Sequence, residues 1–142
     1  MCGRLAGWLR LLGYDAEFAG KNSKVPDIIY RSLREERAIL TRNSKISSGK
    51  GFLVYQVKSE NFFGQIEEVV SEFKLPVSER MIFTRCIACN GEIKITDKEN
   101  VRNVVPAFVF QTHNKFYSCA KCGKIYWKGS HMELAKKLLN KL

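Results

Sequence analysis

Apolar residues in the first half of the chain recur with the period of an α-helix, and short apolar runs separate the helical stretches. Leu5, Trp8, Leu9 and Leu12 occupy positions i, i+3, i+4 and i+7. This spacing predicts an opening helix with one buried face. Gly13 follows the last apolar residue of the pattern and predicts the end of the helix.

Two further helices and two short strands are predicted after this opening helix. Pro26 suits the first turn of the second helix, which ends in the charged run 34–37, and an apolar stripe predicts a third helix over residues 61–73. We interpret the apolar runs 38–41 and 52–57 as buried strands. Helices that alternate with short buried strands are typical of an α/β fold with a parallel sheet.

The last part of the chain has a different pattern. Residues 74–85 carry mixed charge and are interpreted as a linker, and the stretches 101–111 and 116–126 predict strands. A short helix is predicted at the end. We therefore expect an α/β domain over residues 1–85, followed by a small β-rich domain with a closing helix over residues 86–142.

Two Cys-x-x-Cys pairs lie in this second domain, Cys86 with Cys89 and Cys119 with Cys122, and 29 residues separate the pairs. They supply four thiolates, which is the ligand set of a tetrahedral structural zinc site. Four unrelated thiols, or two disulfides, are the alternative interpretation. We predict a zinc ribbon with one structural zinc ion per chain. Zinc-bound thiolates and the lone Cys2 also indicate the cytoplasm or nucleoplasm, and we predict a cytoplasmic location.

The charge of the chain indicates a polyanionic partner. The formal net charge is +10, and four zinc-bound thiolates with their ion would reduce it to about +8. Residues 86–142 contain 10 Lys and Arg against 4 Asp and Glu, a net charge of +6, whereas residues 1–85 contain 14 against 10, a net charge of +4. Nucleic acid is the first hypothesis, and a basic surface without a partner is the alternative. We expect no membrane partner, because no apolar run approaches the ~20 residues of a membrane span.

Aromatic and lysine residues interleave in the zinc ribbon. Rings that stack on bases, together with cations that neutralise phosphates, are typical of surfaces that bind single-stranded nucleic acid. Some of these rings must instead fill the core of the ribbon, because alternate residues of a strand point to opposite faces. The predicted RNA-binding residues of the ribbon are Lys115, Lys121, Lys124, Tyr126, Trp127 and Lys128.

Acidic residues are scarce near the predicted strand ends, where the chemistry of a parallel sheet gathers. A metal-dependent nuclease needs several carboxylates there to hold Mg²⁺ or Mn²⁺. Glu60 is well placed, and Asp15 and Asp27 are more distant candidates. Asn43 offers an uncharged amide oxygen where a carboxylate would be most useful. The alternative is that these are ordinary solvated side chains.

Several stretches resemble the Mut-seven C-terminal ribonuclease-domain family. Residues 1–15 are similar to its opening helix, and residues 38–43, AILTRN, are similar to its strand ending in Thr-Arg-Asp. The strongest similarity lies in residues 105–110, 116–117 and 119–131. The resemblance covers nearly the whole chain. It implies a PIN-like nuclease fold that handles RNA, joined to a zinc ribbon.

The chain departs from the pattern of this family in two places. The family has a strand before the first helix, and that strand delivers an acidic metal ligand, whereas this sequence begins just after that point. A true start upstream of Met1 would restore the strand. The Thr-Arg-Asp of the family is Thr-Arg-Asn here, with Asn43 in place of the acid. We expect that catalysis is lost, because a divalent ion depends on clustered negative charge.

Together these features predict an RNA-binding protein, a catalytically degenerate member of a PIN-like ribonuclease family. The resemblance adds Arg4 and Arg42, near the rim of the former active site, to the RNA contacts. A ribosome-associated role, with ribosomal RNA in a larger particle as partner, fits a small basic zinc protein. One alternative is an active Mg²⁺- or Mn²⁺-dependent endoribonuclease that uses the four candidates above. Another is a protein-interaction module with a structural zinc. The oligomeric state is not predicted.

Overall fold

The computed structural model describes residues 3–142, so Met1 and Cys2, which begin the stretch that resembles the family, lie outside the described residues. Two 3₁₀ turns, Glu79–Met81 and Lys98–Val101, accompany the regular elements. In chain order those elements are α1 (Gly3–Leu11), α2 (Val25–Glu35), β1 (Ile39–Thr41), β2 (Val54–Gln56), α3 (Phe62–Glu72), β3 (Ile93–Thr96), α4 (Ala107–Thr112), β4 (Phe116–Cys119), β5 (Ile125–Trp127) and α5 (Ser130–Leu139).

The strands form two small sheets of different kinds. Strands β1 and β2 pair in parallel, and β3, β4 and β5 form an antiparallel sheet in that order. The predicted fold class is confirmed: a small parallel sheet with helices precedes a β-rich segment, which ends in a helix. Among the described residues, no helix is long and apolar enough to cross a membrane.

The first compact unit contains the described residues up to Ala6 and the stretch Phe18–Leu75. Helix α3 begins at a genuine cap, since the Asn61 side chain accepts a hydrogen bond of 2.8 Å from the Gly64 N–H. Its apolar stripe is buried through Ile66, Val69 and Val70. The predicted third helix over residues 61–73 is thus present with nearly the expected bounds.

The second compact unit contains Gly7–Glu17 and Pro76–Leu142. It therefore takes in the end of α1 as well as the predicted ribbon. This grouping places residues 7–17 and 76–85 with the ribbon rather than with the α/β part. Compact units are not the same as independently folding domains. The predicted division into domains 1–85 and 86–142 therefore stays a prediction.

The antiparallel sheet has two faces with different contents, because directly paired residues lie on the same face. Phe116 pairs with Trp127 and Thr96, and its face packs against Val101 and Val105 to form a buried core. The other face carries Ile95, Tyr117 and Tyr126 in one row, with Ile93 and Cys119 in the next. The core of the ribbon thus lies on one side of the sheet, and the cysteines lie on the other.

The strand predictions for this unit need two corrections. The predicted strand 101–111 is instead the end of a 3₁₀ turn followed by α4. Val101 ends the 3₁₀ turn, Val105 lies in the bend that follows and Val109 lies in α4, and all three pack against one core. The stretch 116–126 supplies β4 and most of β5 on either side of the second cysteine turn, as predicted, but the sequence interpretation missed β3.

Candidate metal centre and nucleic-acid interface

The four cysteines of the two pairs come together in the second unit. Their Sγ atoms all lie within 4.8 Å of one another. Cys86 Sγ is 3.6 Å from Cys122 Sγ, and Cys89 Sγ is 3.4 Å from Cys119 Sγ. A tetrahedral zinc site with Zn–S bonds of about 2.3 Å has sulfur–sulfur edges of about 3.8 Å. The cluster therefore has the size and ligand type to hold a metal ion such as zinc.

Each cysteine pair is held by its own backbone turn, and the two turns are of the same type. The N–H of Asn90 donates to the Cys86 carbonyl over 2.9 Å, and the N–H of Gly123 donates to the Cys119 carbonyl over 2.9 Å. Both Asn90 and Gly123 adopt a left-handed conformation, with φ of 65° and 73°. Two equivalent turns thus present their sulfurs from opposite sides.

Gly91 allows the two turns to approach closely. A Cβ at this position would lie 3.0 Å from Cys119 Sγ and 2.8 Å from Lys121 Cβ. Any side chain would therefore push the second pair away from the first. The short loop after the first pair needs glycine for space rather than for a special backbone angle.

The surroundings of the cluster lower the pKa of one cysteine and raise the pKa of another. Burial raises the pKa of Cys86, but hydrogen bonds from the Tyr126 hydroxyl and the Cys89 backbone outweigh it and lower the pKa to about 6. The Gly91 N–H lowers the pKa of Cys89, but burial and the neighbouring thiols raise it to about 12. A second thiolate beside the first is unfavourable unless a cation lies between them.

A buried arginine supports the first cysteine pair. The Arg10 side chain is only 6% exposed, and its Nη1 donates to the carbonyls of Ile87 and Ala88 over 2.9 and 3.0 Å. Its Nε donates to the Ala16 carbonyl over 2.6 Å. The end of α1 is thus tied to the loop between Cys86 and Cys89. Arg10 lies outside the apolar pattern that predicted the buried face of α1, yet the run 9–12 is buried throughout.

Asn90 ties the segment after α1 to the same turn. Its amide Nδ2 donates to Asp15 Oδ1 over 2.6 Å and to Glu17 Oε1 over 3.2 Å, and its Oδ1 accepts from the Ala16 N–H over 3.3 Å. Asp15, one of the candidate catalytic acids, is therefore a partner of the cysteine turn. Its carboxylate is also 3.9 Å from Arg85.

The remaining catalytic candidates belong to the first unit and are exposed. Asn43 follows β1, and its Oδ1 accepts from the Lys45 N–H over 3.0 Å, so its amide caps a turn. Asp27 lies in the first turn of α2, and Glu60 precedes α3. Within residues 3–142, the four cysteines form the group of three or more His, Cys, Asp or Glu residues whose ligand atoms come close together. Asp15, Asp27 and Glu60 belong to no such group.

Sequence reasoning missed Glu68, a residue of α3 whose carboxylate lies at the end of β2. Its Oε1 accepts from the Tyr55 hydroxyl over 3.0 Å and from the Lys58 N–H over 2.9 Å, and its Oε2 accepts from the Ser59 N–H over 2.8 Å. Partial burial raises its pKa, but these donors outweigh the burial and lower it to about 2. Glu68 shapes the strand end, and its position in mid-helix gave no sequence signal for this role.

The predicted RNA-binding residues occupy different environments. The side chains of Lys115, Lys121, Lys124 and Lys128 are exposed on the ribbon. Arg42 is exposed directly after β1, and the Arg4 guanidinium lies 4.4 Å from the centre of the Phe62 ring. Trp127 is half-buried and packs against the ribbon core.

Tyr126 does not have the position expected of an RNA contact. Its side chain is only 9% exposed, and its hydroxyl lies 3.0 Å from Cys86 Sγ. Its ring packs edge-on against Phe83, with ring centres 5.7 Å apart. Both faces of the ring are thus unavailable for stacking on a base, and we assign Tyr126 to the support of the metal centre.

A family model, the Mut7-C RNAse domain, matches residues 1–139. The chain belongs to the Mut7-C RNAse domain family. No curated protein and no solved structure matches the chain significantly. Family membership confirms the resemblance found in the sequence, and it indicates a ribonuclease-like, RNA-related function for this Mut7-C chain.

The Glu68 carboxylate gives this Mut7-C domain a testable dependence of stability on pH. Because the pKa of Glu68 is lowered from 4.5 to about 2 on folding, its contribution is complete above pH 4.5 and is lost as the pH falls through 2. The amide proton shifts of Lys58 and Ser59, followed by NMR, should therefore titrate near pH 2. Titration of both amides near pH 4.5 would contradict the assigned hydrogen bonds. Glu68→Gln should abolish the transition, and Glu67→Gln, one residue away on α3, should leave it unchanged.

Replacement of Arg10 should weaken the second unit. Arg10→Met removes three hydrogen bonds that a buried guanidinium donates to backbone carbonyls, so we expect a loss of about 2–4 kcal/mol in the free energy of unfolding. Urea unfolding followed by tryptophan fluorescence measures this, because both tryptophans, Trp8 and Trp127, belong to this unit. The control Arg102→Met removes an exposed arginine paired with Glu99 at 2.8 Å and should cost less than about 1 kcal/mol. Equal losses in the two variants would refute the role of Arg10.

Proposed function

We propose that this protein binds RNA through its zinc ribbon and that the α/β part has lost nuclease activity. The observation that carries the proposal is the set of four exposed lysines on the ribbon of a ribonuclease-family chain: Lys115, Lys121, Lys124 and Lys128. The net charge of +6 over residues 86–142 supports the same surface, because phosphate contacts supply most of the affinity for nucleic acids.

We assign the metal of the cysteine cluster as one structural zinc ion. Four thiolates form a closed tetrahedral site, and such soft ligands suit zinc. The bound ion would supply the positive charge that the four thiolates require. Its role in binding RNA is positional. Lys121 lies within the second cysteine pair and Lys124 lies two residues after it, so the fixed turn holds both ammonium groups on one short segment.

Loss of nuclease activity is supported by the residue at the end of β1. Asn43 offers an amide oxygen that already accepts a hydrogen bond from the Lys45 N–H. Such an oxygen is a poor replacement for a carboxylate ligand of Mg²⁺ or Mn²⁺. Family membership favours the alternative, an active Mg²⁺- or Mn²⁺-dependent endoribonuclease. In the binding proposal, Arg42 and Arg4 add phosphate contacts from the first unit.

We also propose a cellular compartment and an RNA partner for the protein. A small, basic chain with a thiolate-bound zinc suits the reducing cytoplasm. We propose that its RNA partner is ribosomal RNA within a larger particle, since dense phosphate there matches a surface of exposed lysines. Co-sedimentation of the native protein with ribosomal particles tests this extension separately from RNA binding itself.

The binding proposal predicts a specific dependence on salt. Affinity for a labelled single-stranded RNA should fall steeply with salt, and each lost contact should reduce the logarithmic slope by about 0.7. The double variant Lys121→Gln with Lys124→Gln should therefore bind more weakly and with a shallower slope. The control Lys21→Gln with Lys24→Gln removes the same charge from exposed positions of the first unit and should change the slope little. Fluorescence anisotropy at several salt concentrations measures both.

Two results would oppose this proposal. An affinity that does not change between low and moderate salt would argue against phosphate contacts. Cleavage of the same RNA on addition of Mn²⁺, abolished by Glu60→Ala, would favour the active endoribonuclease. Denaturing gels run on the binding samples separate these outcomes.

A further inference from the structure

A groove opens on the face of the antiparallel sheet that does not pack against the Phe116 core. It has a volume of about 370 Å³, which falls within the ~300–1,000 Å³ of small-molecule pockets. Its floor includes Ile95 of β3 and Tyr117 of β4, and Met132 of α5 forms part of one wall. The groove lies entirely within the second compact unit.

The floor of the groove is an apolar surface that the fold leaves open. Ile95 and Tyr117 are directly paired across β3 and β4, so their side chains share one face. In the next row of that face, Ile93, which also lines the groove, pairs with Cys119 of the metal centre. Ile95 itself remains 78% exposed. Ile95 and the half-buried Tyr117 beside it therefore form an open apolar surface.

The rim of the groove carries more positive than negative charge. Lys128 and Lys136 are both exposed there, and Glu79 is the acid that faces them. Lys136 Nζ lies 3.9 Å from Glu79 Oε2, so one lysine is partly neutralised in the free protein. The His113 ring donates to the Lys128 carbonyl over 3.1 Å, which fixes the backbone that carries the other lysine.

We propose that this groove binds one unpaired nucleotide of an RNA strand. The Tyr117 ring, which is half-buried, offers a stacking surface for a base beside Ile95 and Met132, and Lys128 and Lys136 neutralise the adjoining phosphate. A base in a duplex hides both faces in its own stack, so the groove selects single-stranded RNA. This inference rests on the proposed RNA binding and identifies the base-binding part of that surface.

Two glutamate substitutions with the same charge provide the sharpest test. Ile95→Glu places a carboxylate on the floor of the groove, whereas Val104→Glu places one at a residue that is 66% exposed beside the opposite core of the ribbon. The probe is a fluorescein-labelled, unstructured RNA of about 12 nucleotides. Ile95→Glu should reduce the affinity about tenfold or more, and Val104→Glu should reduce it less than about twofold.

Two further substitutions keep the test independent of folding. Tyr117→Ala should weaken binding about tenfold, and Tyr117→Phe, which keeps the ring, should bind as the parent chain does. Glu79→Gln removes the acid that competes for Lys136 and should tighten binding. A gain in affinity that leaves the fold and the metal content unchanged is not a result of unfolding. Circular dichroism and the bound metal content of each variant confirm the fold.

The outcomes distinguish this inference from the proposed function. If the parent chain binds no single-stranded RNA, the proposed function itself fails. If it binds, but Ile95→Glu and Val104→Glu weaken binding equally, the groove is not the base site and the proposed function stands. Equal affinity for the same RNA annealed to its complement would overturn the preference for an unpaired nucleotide. If the Ile95→Glu variant no longer binds a protein partner but binds RNA as the parent chain does, the groove is the site for that protein partner.

Discussion

The convergence of four cysteine sulfurs is the constraint on which the second unit depends, because thiolates this close together repel one another unless a cation lies between them. The cysteine turns bring sulfurs within 4.8 Å of one another, and burial together with the neighbouring thiols raises the pKa of Cys89 to about 12. A metal ion would remove that repulsion and join two turns that lie 29 residues apart in sequence. Arg10 and Tyr126 then connect the centre to α1 and β5.

The two faces of the antiparallel sheet therefore have different roles. One face builds an ordinary apolar core around Phe116. The other face carries Cys119 of the metal centre and Tyr126, which packs against Phe83, and it leaves Ile95 exposed and Tyr117 half-buried. Exposed lysines line the groove that contains these two residues. A rigid stacking surface beside cations is what an unpaired nucleotide requires.

The sequence predicted the parts of the molecule that have a strong local signal. The paired cysteines and the apolar stripe of α3 could be identified from spacing alone. The valines at 101, 105 and 109 also had helical spacing, but their β-branched side chains favoured a strand interpretation. Arg10, Glu68 and the burial of Tyr126 could not be predicted, because each depends on backbone carbonyls, backbone amides or a thiol distant in sequence.

X-ray absorption at the zinc edge of freshly purified protein tests whether the four cysteines hold a zinc ion. We expect about one zinc ion per chain, with four sulfur ligands at about 2.3 Å and no directly bound nitrogen or oxygen. Cys119→Ser should lose the ion or replace one sulfur ligand by oxygen. Protein that is folded and contains no metal, or a zinc ion with mainly oxygen and nitrogen ligands, would contradict the account.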